Sequence, residues 1–190
     1  MKYKDQVVPS PLDDEHFLII RRAVSNAINE IYKFIVSEKS GTRNILVVAP
    51  DEHDNLGPFQ LTQNAEHDFR IHTLQLDPTI PATYHADITK TNLFIPENLY
   101  DLVICTEVVE HCSNPFKAVN EIQRLLKVGG VALFTSPFDF RIHGPRPDNW
   151  RISEDGWQAL LESWEIVSIT SENNSSRPLM PIHYTVIAKK

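Results

Sequence analysis

The feature that most constrains the fold is a strand–helix–strand pattern in the middle of the sequence. "YDLVICT" (100–106) and "VALFTS" (131–136) are continuous apolar runs, as expected of strands buried inside a sheet. Between them, "NPFKAVNEIQRLLK" (114–127) repeats apolar residues at helical spacing, and Asn114 and Pro115 suit the start of a helix. Such a crossover joins parallel strands, so the pattern predicts an α/β fold.

The same alternation extends over most of the chain. The remaining predicted elements are a helix at 13–38, strands at 44–49, 70–77 and 82–87, a short helix at 153–163, and strands at 164–170 and 182–189. The loop between the last two strands, "SENNSSRPLMP", has no helical pattern. These two strands should therefore form an antiparallel hairpin at the end of a mainly parallel sheet.

Length and charge limit the classes of protein that remain. A chain of 190 residues is enough for one domain, and we divide it into an arm (1–12), an N-terminal helix (13–40) and a core (44–190). A net charge of −7 disfavours nucleic acid as a partner. No apolar run is long enough for a membrane span or a signal peptide, so we expect a cytoplasmic protein with no membrane partner.

Two segments of the second half carry a family resemblance. "YDLVICTEVVEHCSNPFKAVNEIQRLLKVGGVALFTSPF" resembles the class I S-adenosylmethionine-dependent methyltransferases, in the type 11-like branch with a Glu-x-x-x-His turn and a Lys-x-Gly-Gly corner. "HGPRPDNWRISEDGWQALL" resembles the segment that follows strand five in that branch. The resemblance implies a Rossmann-like seven-stranded sheet of order 3-2-1-4-5-7-6, with strand 7 antiparallel and helices on both faces.

The resemblance also implies a set of residues that bind S-adenosylmethionine. Asp77, at the end of strand two, falls where the family holds the ribose hydroxyls, and a carboxylate has acceptors for both. Asp87 and Ile88, after strand three, fall where the adenine ring lies. Thr106 and Glu107, after strand four, fall beside the methionine portion of the cofactor. Asp77 and Asp87 are also common types of turn former, so a purely local role stays open for both.

The turn after strand one departs from the family pattern. Ala49 and Asp51 stand where the family has glycines, which allow a positive φ and a close approach of the backbone to the ligand. Pro50 removes one N–H, and acidic residues follow it. Two interpretations follow: a cofactor site of altered chemistry that still uses Ala49 and Asp51, or a catalytically silent protein that acts as a binding or scaffold subunit.

Three residues are the candidates for catalysis. Methyl transfer to a hydroxyl or an amine needs a base, and a histidine pKa near neutrality suits that role. His111 follows Glu107, and His143 lies in a loop after strand five with Asp148 close behind. The expected substrate is a small molecule or a saccharide. The alternative for the loop is that Trp150 and Arg151 only pack and hold it in place.

A metal centre built from the histidines and cysteines of the second half is not expected. Its candidate ligands would be Cys105, Glu107, His111, Cys112 and His143, and their spacing fits no compact zinc pattern. Cys105 should point into the core. Cys112 is better explained as a small buried side chain than as a nucleophile.

Overall fold

A long helix opens the described part of the chain. The computed structural model describes residues 11–38, 41–50 and 67–190. Helix α1 spans Pro11–Glu38 and has Asp13 and Asp14 in its first turn. Carboxylates are stabilising there because the N-terminus is the positive end of the helix dipole. The helix begins two residues before the predicted start, because the missing N–H of Pro11 costs nothing in the first turn. Residues 1–10 of the predicted arm lie outside the described residues.

The described residues form one sheet of seven strands. The other elements, in chain order, are β1 (Gly41–Val48), β2 (His67–Gln75), β3 (Tyr84–His85), β4 (Tyr100–Thr106), α2 (Pro115–Leu125), β5 (Leu126–Pro137), α3 (Glu154–Leu160), β6 (Glu165–Glu172) and β7 (His183–Lys189). The strand order is β3-β2-β1-β4-β5-β7-β6. Strands β1 to β5 pair in parallel, and β7 is antiparallel to both of its neighbours, as predicted.

Several element boundaries differ from the prediction. Strand β1 begins at Gly41, three residues before the predicted start at position 44. Strand β2 ends at Gln75, so Asp77 lies in the turn beyond it and not in its last position. Strand β5 starts at Leu126 directly after α2, because Leu126 already pairs with Tyr100 before a register shift leads into the main ladder. These boundaries are set by hydrogen-bonded pairing with the neighbouring strand, and the sequence of one strand does not show where that pairing begins or ends.

Each face of the sheet is covered by helix. Helix α1 packs on one face through buried residues at helical spacing, among them Ile20, Val24, Ile28 and Ile31. Helices α2 and α3 pack on the other face, where Trp157 is fully buried against Phe134 with ring centroids 5.6 Å apart. At about 25 cal/mol per Å² of buried apolar surface, these two cores are the main stabilising contribution to the fold.

The topology brings one set of strand ends together. The carboxyl ends of parallel strands meet at one edge of a sheet. Because β7 runs the opposite way, its first residue lies at that same edge, where His183 pairs with Pro137. The residues that follow β1, β2, β4 and β5 therefore share one edge with the start of β7. Among the described residues, no helix is both long and apolar enough to cross a membrane.

Candidate functional site

The turn after β1 keeps the backbone shape of a glycine turn without a glycine. Ala49 has a φ of 49°, in the left-handed region that residues with a Cβ rarely adopt. Its N–H donates to the Leu74 carbonyl at 2.7 Å, and the Gln75 amide donates to the Pro50 carbonyl at 3.0 Å. These bonds to β2 hold the strained conformation in place. Asp51 and the acidic residues after it lie outside the described residues.

Replacing Ala49 with glycine should stabilise the protein. The left-handed conformation costs an alanine about 1–2 kcal/mol, and the extra flexibility of glycine in the unfolded chain returns about 0.5–1 kcal/mol of that. We expect a net gain of about 0.5–1 kcal/mol in the free energy of unfolding, measured by urea denaturation. The matched control is Ala86→Gly, at a position without positive φ, which should lose stability. A loss in both variants would contradict the idea that Ala49 is strained.

The two acids after β2 and β3 form the same kind of turn. Asp77 Oδ1 accepts from the backbone N–H and the hydroxyl of Thr79 at 2.8 and 2.7 Å. Asp87 Oδ1 does the same with Thr89, at 2.9 and 2.7 Å. The hydrogen bonds from Thr79 hold the pKa of Asp77 below its ordinary value. Each acid thus has the local turn role that its sequence allowed, and Asp77 is exposed at the edge of the sheet.

Ile88 and Thr106 lie deeper than their neighbours at this edge. Ile88 is 6% exposed and belongs to the core on the α2 and α3 side of the sheet. Thr106, the last residue of β4, is 4% exposed. Both side chains are therefore buried at this edge, whereas Asp77 is exposed.

Glu107 follows β4 in a strained conformation and is held by two side chains. Its φ is 54°, again in the left-handed region. Its Oε1 accepts from the Thr135 hydroxyl and lies 2.8 Å from His183 Nε2. Burial raises the pKa of Glu107, but the positive charge of His183 and the hydrogen bonds from His183 and Thr135 outweigh it and lower the pKa below its usual value. Glu107 is therefore a charged carboxylate at neutral pH.

His183 is a member of the site that sequence reasoning missed. It is fully buried at the first position of β7. In the sequence it was one polar residue in a predicted strand, with nothing to distinguish it from a solvated strand residue. Only the antiparallel return of β7 places it beside Glu107, which is 76 positions away in the sequence.

Glu110 is the second residue that the sequence analysis missed. It lies in a single 3₁₀ turn, Val109–His111, and is 0% exposed. Among the described residues, neither of its carboxylate oxygens has a hydrogen-bond partner. Burial, followed by the negative charge of Glu107, raises the pKa of Glu110 well above the ordinary 4.5. A buried carboxylate without a donor is costly, and such groups are rare in folded proteins.

The two candidate histidines meet over Glu110. Their rings make an edge-to-face contact with centroids 4.8 Å apart. His111 Nδ1 lies 2.8 Å from the Pro147 carbonyl oxygen, and His143 Nδ1 lies 3.1 Å from Asp148 Oδ2. The opposite nitrogens, His111 Nε2 and His143 Nε2, lie 3.7 and 3.8 Å from Glu110 Oε1.

Asp148 is tied to Arg151 by two hydrogen bonds. Arg151 donates to its two oxygens at 2.6 and 2.9 Å, and the backbone N–H of His143 donates to Oδ2 at 2.8 Å. Although burial alone would raise it, these bonds lower the pKa of Asp148 to about 2. Arg151 also donates to the Arg141 carbonyl at 2.9 Å, so it holds the loop in place, as the packing alternative predicted.

The structure gathers some of the predicted site residues and separates others. His111, His143 and Asp148 form one cluster, and burial lowers the pKa of His143, which favours its neutral form. Cys105 is fully buried in the core, and the Cys112 thiol is buried with its pKa raised to about 12. The two cysteines therefore stay out of the group in which Glu110 joins the two histidines.

The order of the strands and the acids at their carboxyl ends can be compared with the arrangement that the family resemblance implied. A mainly parallel sheet with an antiparallel seventh strand carries acids after its second, third and fourth strands. Ligands of α/β sheets bind at this edge. The left-handed backbone of Ala49 also keeps the turn after β1 in the shape that a glycine would give it. The fold is the Rossmann-like fold of the class I methyltransferases, as the family resemblance implied.

Comparisons with known proteins agree with this class. The methyltransferase domain family matches residues 61–134. The ubiquinone biosynthesis O-methyltransferase of Proteus mirabilis is 33% identical over 67 residues, which are 35% of this chain and 26% of that protein. The chain thus spans about a quarter of the length of this curated relative.

Solved structures share the fold at low sequence identity. A SAM-dependent methyltransferase from Archaeoglobus fulgidus superimposes with a TM-score of 0.63 at 12% identity, over 90% of this chain and 94% of the other. The trans-methyltransferase CalH in complex with SAH gives 0.64 at 13% identity, over 90% and 58%. The family match, the curated relative and the shared fold together support a class I S-adenosylmethionine-dependent methyltransferase, with S-adenosylmethionine as the cofactor.

Proposed function

We propose that the protein transfers a methyl group from S-adenosylmethionine to a hydroxyl or an amine of a small molecule or saccharide. The observation that supports this most is the left-handed backbone at Ala49. It supports activity, because Ala49 adopts the positive φ that ordinarily favours a glycine at this position, even though the glycine is missing.

The residues at the carboxyl edge suit the parts of the cofactor. Asp77 is exposed beyond β2 and would accept from the ribose hydroxyls, while Asp87 and Ile88 would contact the adenine. Ala49, Asp51, Thr106 and Glu107 would surround the methionine portion, with the charged carboxylate of Glu107 near its positive groups. The bound cofactor supplies an electrophilic methyl group on a sulfonium centre.

The histidine pair supplies the acceptor side of the site. His143, with its pKa lowered by burial, is neutral at physiological pH and would take the proton of the acceptor at Nε2, with His111 as the second candidate. Asp148 would position His143 by accepting from its backbone N–H, with Oδ2 3.1 Å from the Nδ1 of the ring. With a pKa of about 2, Asp148 is too weak a base to replace it.

Two observations favour a small hydroxyl-bearing acceptor. The net charge of −7 disfavours a nucleic-acid substrate. The name of the Proteus mirabilis relative describes an O-methyltransferase, so methylation of an oxygen is the chemistry found in a similar sequence.

Calorimetric titration with S-adenosylhomocysteine tests the proposal. We expect micromolar binding to the full chain, weakened about 10- to 100-fold in Asp77→Asn, because one or two hydrogen bonds to a charged carboxylate are lost. Asparagine keeps an oxygen for the Thr79 turn, so the variant should fold normally. Asp155→Ala, which removes an exposed acid from α3, is the control.

The same titration separates enzyme from scaffold. No heat at millimolar S-adenosylhomocysteine would favour the second candidate, a catalytically silent binding or scaffold protein. That candidate has one observation in its favour: alanine and proline occupy positions 49 and 50, where a cofactor turn ordinarily has flexible residues.

A further inference from the structure

We propose that Glu110, His111 and His143 bind one divalent metal ion of the kind that prefers imidazole ligands, such as Zn²⁺. The three residues each offer one donor atom, and these atoms lie within 4.8 Å of one another. Two imidazoles and a carboxylate form a common set of protein ligands in catalytic zinc sites, where further positions stay open to substrate.

The surroundings of the two imidazoles leave a nitrogen of each facing Glu110. A carbonyl oxygen only accepts, so the 2.8 Å contact with Pro147 requires a proton on His111 Nδ1 and leaves the lone pair on Nε2. Asp148 Oδ2 accepts from the backbone N–H of His143 and lies 3.1 Å from Nδ1 of its ring. The Nε2 atoms of His111 and His143 lie 3.7 and 3.8 Å from Glu110 Oε1. Metal-bound histidines in proteins are oriented by such outer contacts.

Glu110 provides an independent reason to place a cation here. It is fully buried, and neither of its oxygens accepts a hydrogen bond from any described residue. A protein seldom keeps a carboxyl group in such a position without a counter-charge. Arg151 is committed to Asp148, and Glu107 nearby adds negative charge. A divalent ion between Glu110 and the histidines would take the place of the proton that the raised pKa of Glu110 favours, and would give both carboxylate oxygens a partner.

The spacing of the donor atoms is close to that of an occupied site. With zinc–ligand bonds of about 2.0–2.1 Å, neighbouring ligands of a tetrahedral site lie about 3.4 Å apart. Glu110 Oε1 is 3.7 and 3.8 Å from the two Nε2 atoms, so each distance would shorten by about 0.4 Å. Imidazole ligands favour Zn²⁺, Fe²⁺ or Co²⁺ over Mg²⁺, which prefers oxygen.

A bound ion would also restrict which chemical groups can accept the methyl group. This part of the inference rests on the proposed function. An imidazole nitrogen that binds an ion is no longer a base. In the ion-bound state, the acceptor would instead be a hydroxyl that binds the ion through oxygen and releases its proton to water, since a bound cation lowers the pKa of such a group. An amine that binds the ion uses its only lone pair, whereas a bound alkoxide oxygen keeps a lone pair that can attack the methyl group, so this state selects oxygen acceptors.

Metal binding is tested on the full chain after removal of metals with a chelator. Calorimetry should show one Zn²⁺ per chain, with Mg²⁺ at least about 100-fold weaker. Glu110→Gln and His143→Ala should each weaken Zn²⁺ binding at least about 10-fold. The control is His85→Ala, which removes an exposed imidazole outside the cluster and should leave Zn²⁺ binding unchanged. Co²⁺ should give visible absorption bands that the Glu110→Gln variant loses.

Each result is decisive for one of the two proposals. Zn²⁺ binding that is absent, or unaffected by both cluster variants, overturns the metal site. Thermal unfolding shows that the variants are folded, and Glu110→Gln keeps the size and polarity of the neutral carboxyl group that the raised pKa favours, so it should not destabilise the chain. Binding of S-adenosylhomocysteine without Zn²⁺ binding overturns the metal site alone. Zn²⁺ binding without S-adenosylhomocysteine binding supports the metal site and overturns the proposed function.

Discussion

Replacing His143 with alanine should lower kcat about 100- to 10,000-fold, the range that a positioned acid–base group contributes. His143 Nε2 lies 3.8 Å from Glu110 Oε1, and the backbone N–H of His143 donates to Asp148 at 2.8 Å. A side chain of this kind acts on the acceptor and not on the cofactor. The affinity for S-adenosylhomocysteine, measured by calorimetry, should therefore stay within about twofold of wild type, because the contacts that bind the cofactor are unchanged.

Two further measurements separate a chemical role of His143 from a structural one. Added imidazole should restore part of the turnover of His143→Ala, because a small base or ligand fits the space that the variant opens. His143→Gln fills more of that space, yet it should remain as inactive as the alanine variant, since an amide is not a base. Undiminished turnover in both variants would remove His143 from the mechanism.

Replacing His183 with alanine should lower the free energy of unfolding at pH 7 by about 3–5 kcal/mol, the usual cost of removing one partner of a buried ion pair. His183 is fully buried and lies 2.8 Å from Glu107 Oε1. Without it, the Glu107 carboxylate loses its 2.8 Å contact with His183 and keeps the hydrogen bond from the Thr135 hydroxyl. Urea denaturation at fixed pH gives the change directly.

The pH dependence of this loss follows from the sign of the pKa shift. The pKa of Glu107 in the folded protein is below the ordinary 4.5, so the pair stabilises the fold above that pH and the contribution is lost in acid. In His183→Ala, burial acts unopposed by His183 and raises the pKa of Glu107. The difference between variant and wild type should therefore shrink as the pH falls from 7 towards 4.

A double variant provides the control for the pair. Adding Glu107→Gln to His183→Ala removes the buried charge and should recover part of the lost stability at pH 7. If His183→Ala is destabilised equally at pH 4 and pH 7, and the second substitution recovers nothing, packing and not charge accounts for the loss.

Much of the fold was predictable because its signals are local. The strand at 100–106 was predicted to the residue, since a continuous apolar run ends there. Helix α2 was recognisable from its apolar spacing and from Asn114, whose side chain accepts from the Lys117 N–H. The antiparallel hairpin followed from a connecting loop without helical pattern. Local propensity and long-range pairing agree at each of these places, which is why the prediction held.

The site was predictable only in part. His111, His143 and Asp148 were singled out, and the structure brings them together. Glu110 was not, because an acid inside a short turn has the same sequence signature whether it is buried or solvated. Its burial depends on the loop at 143–151: the backbone N–H groups of Asn149 and Trp150 donate to the Glu110 carbonyl at 2.8 and 3.1 Å and close the loop over the turn.

The sequence by itself determined the order of helices and strands, and through it the edge at which the acids after β2, β3 and β4 gather. Apolar periodicity and chain direction are enough for that, because parallel crossovers allow one handedness. Only the tertiary structure decided the charge state and the partners of the buried groups. Ala49 adopts a glycine-like conformation because bonds to β2 hold it, and Glu107 meets His183 because β7 returns antiparallel. Burial and long-range contact set these properties, and neither is encoded in neighbouring residues.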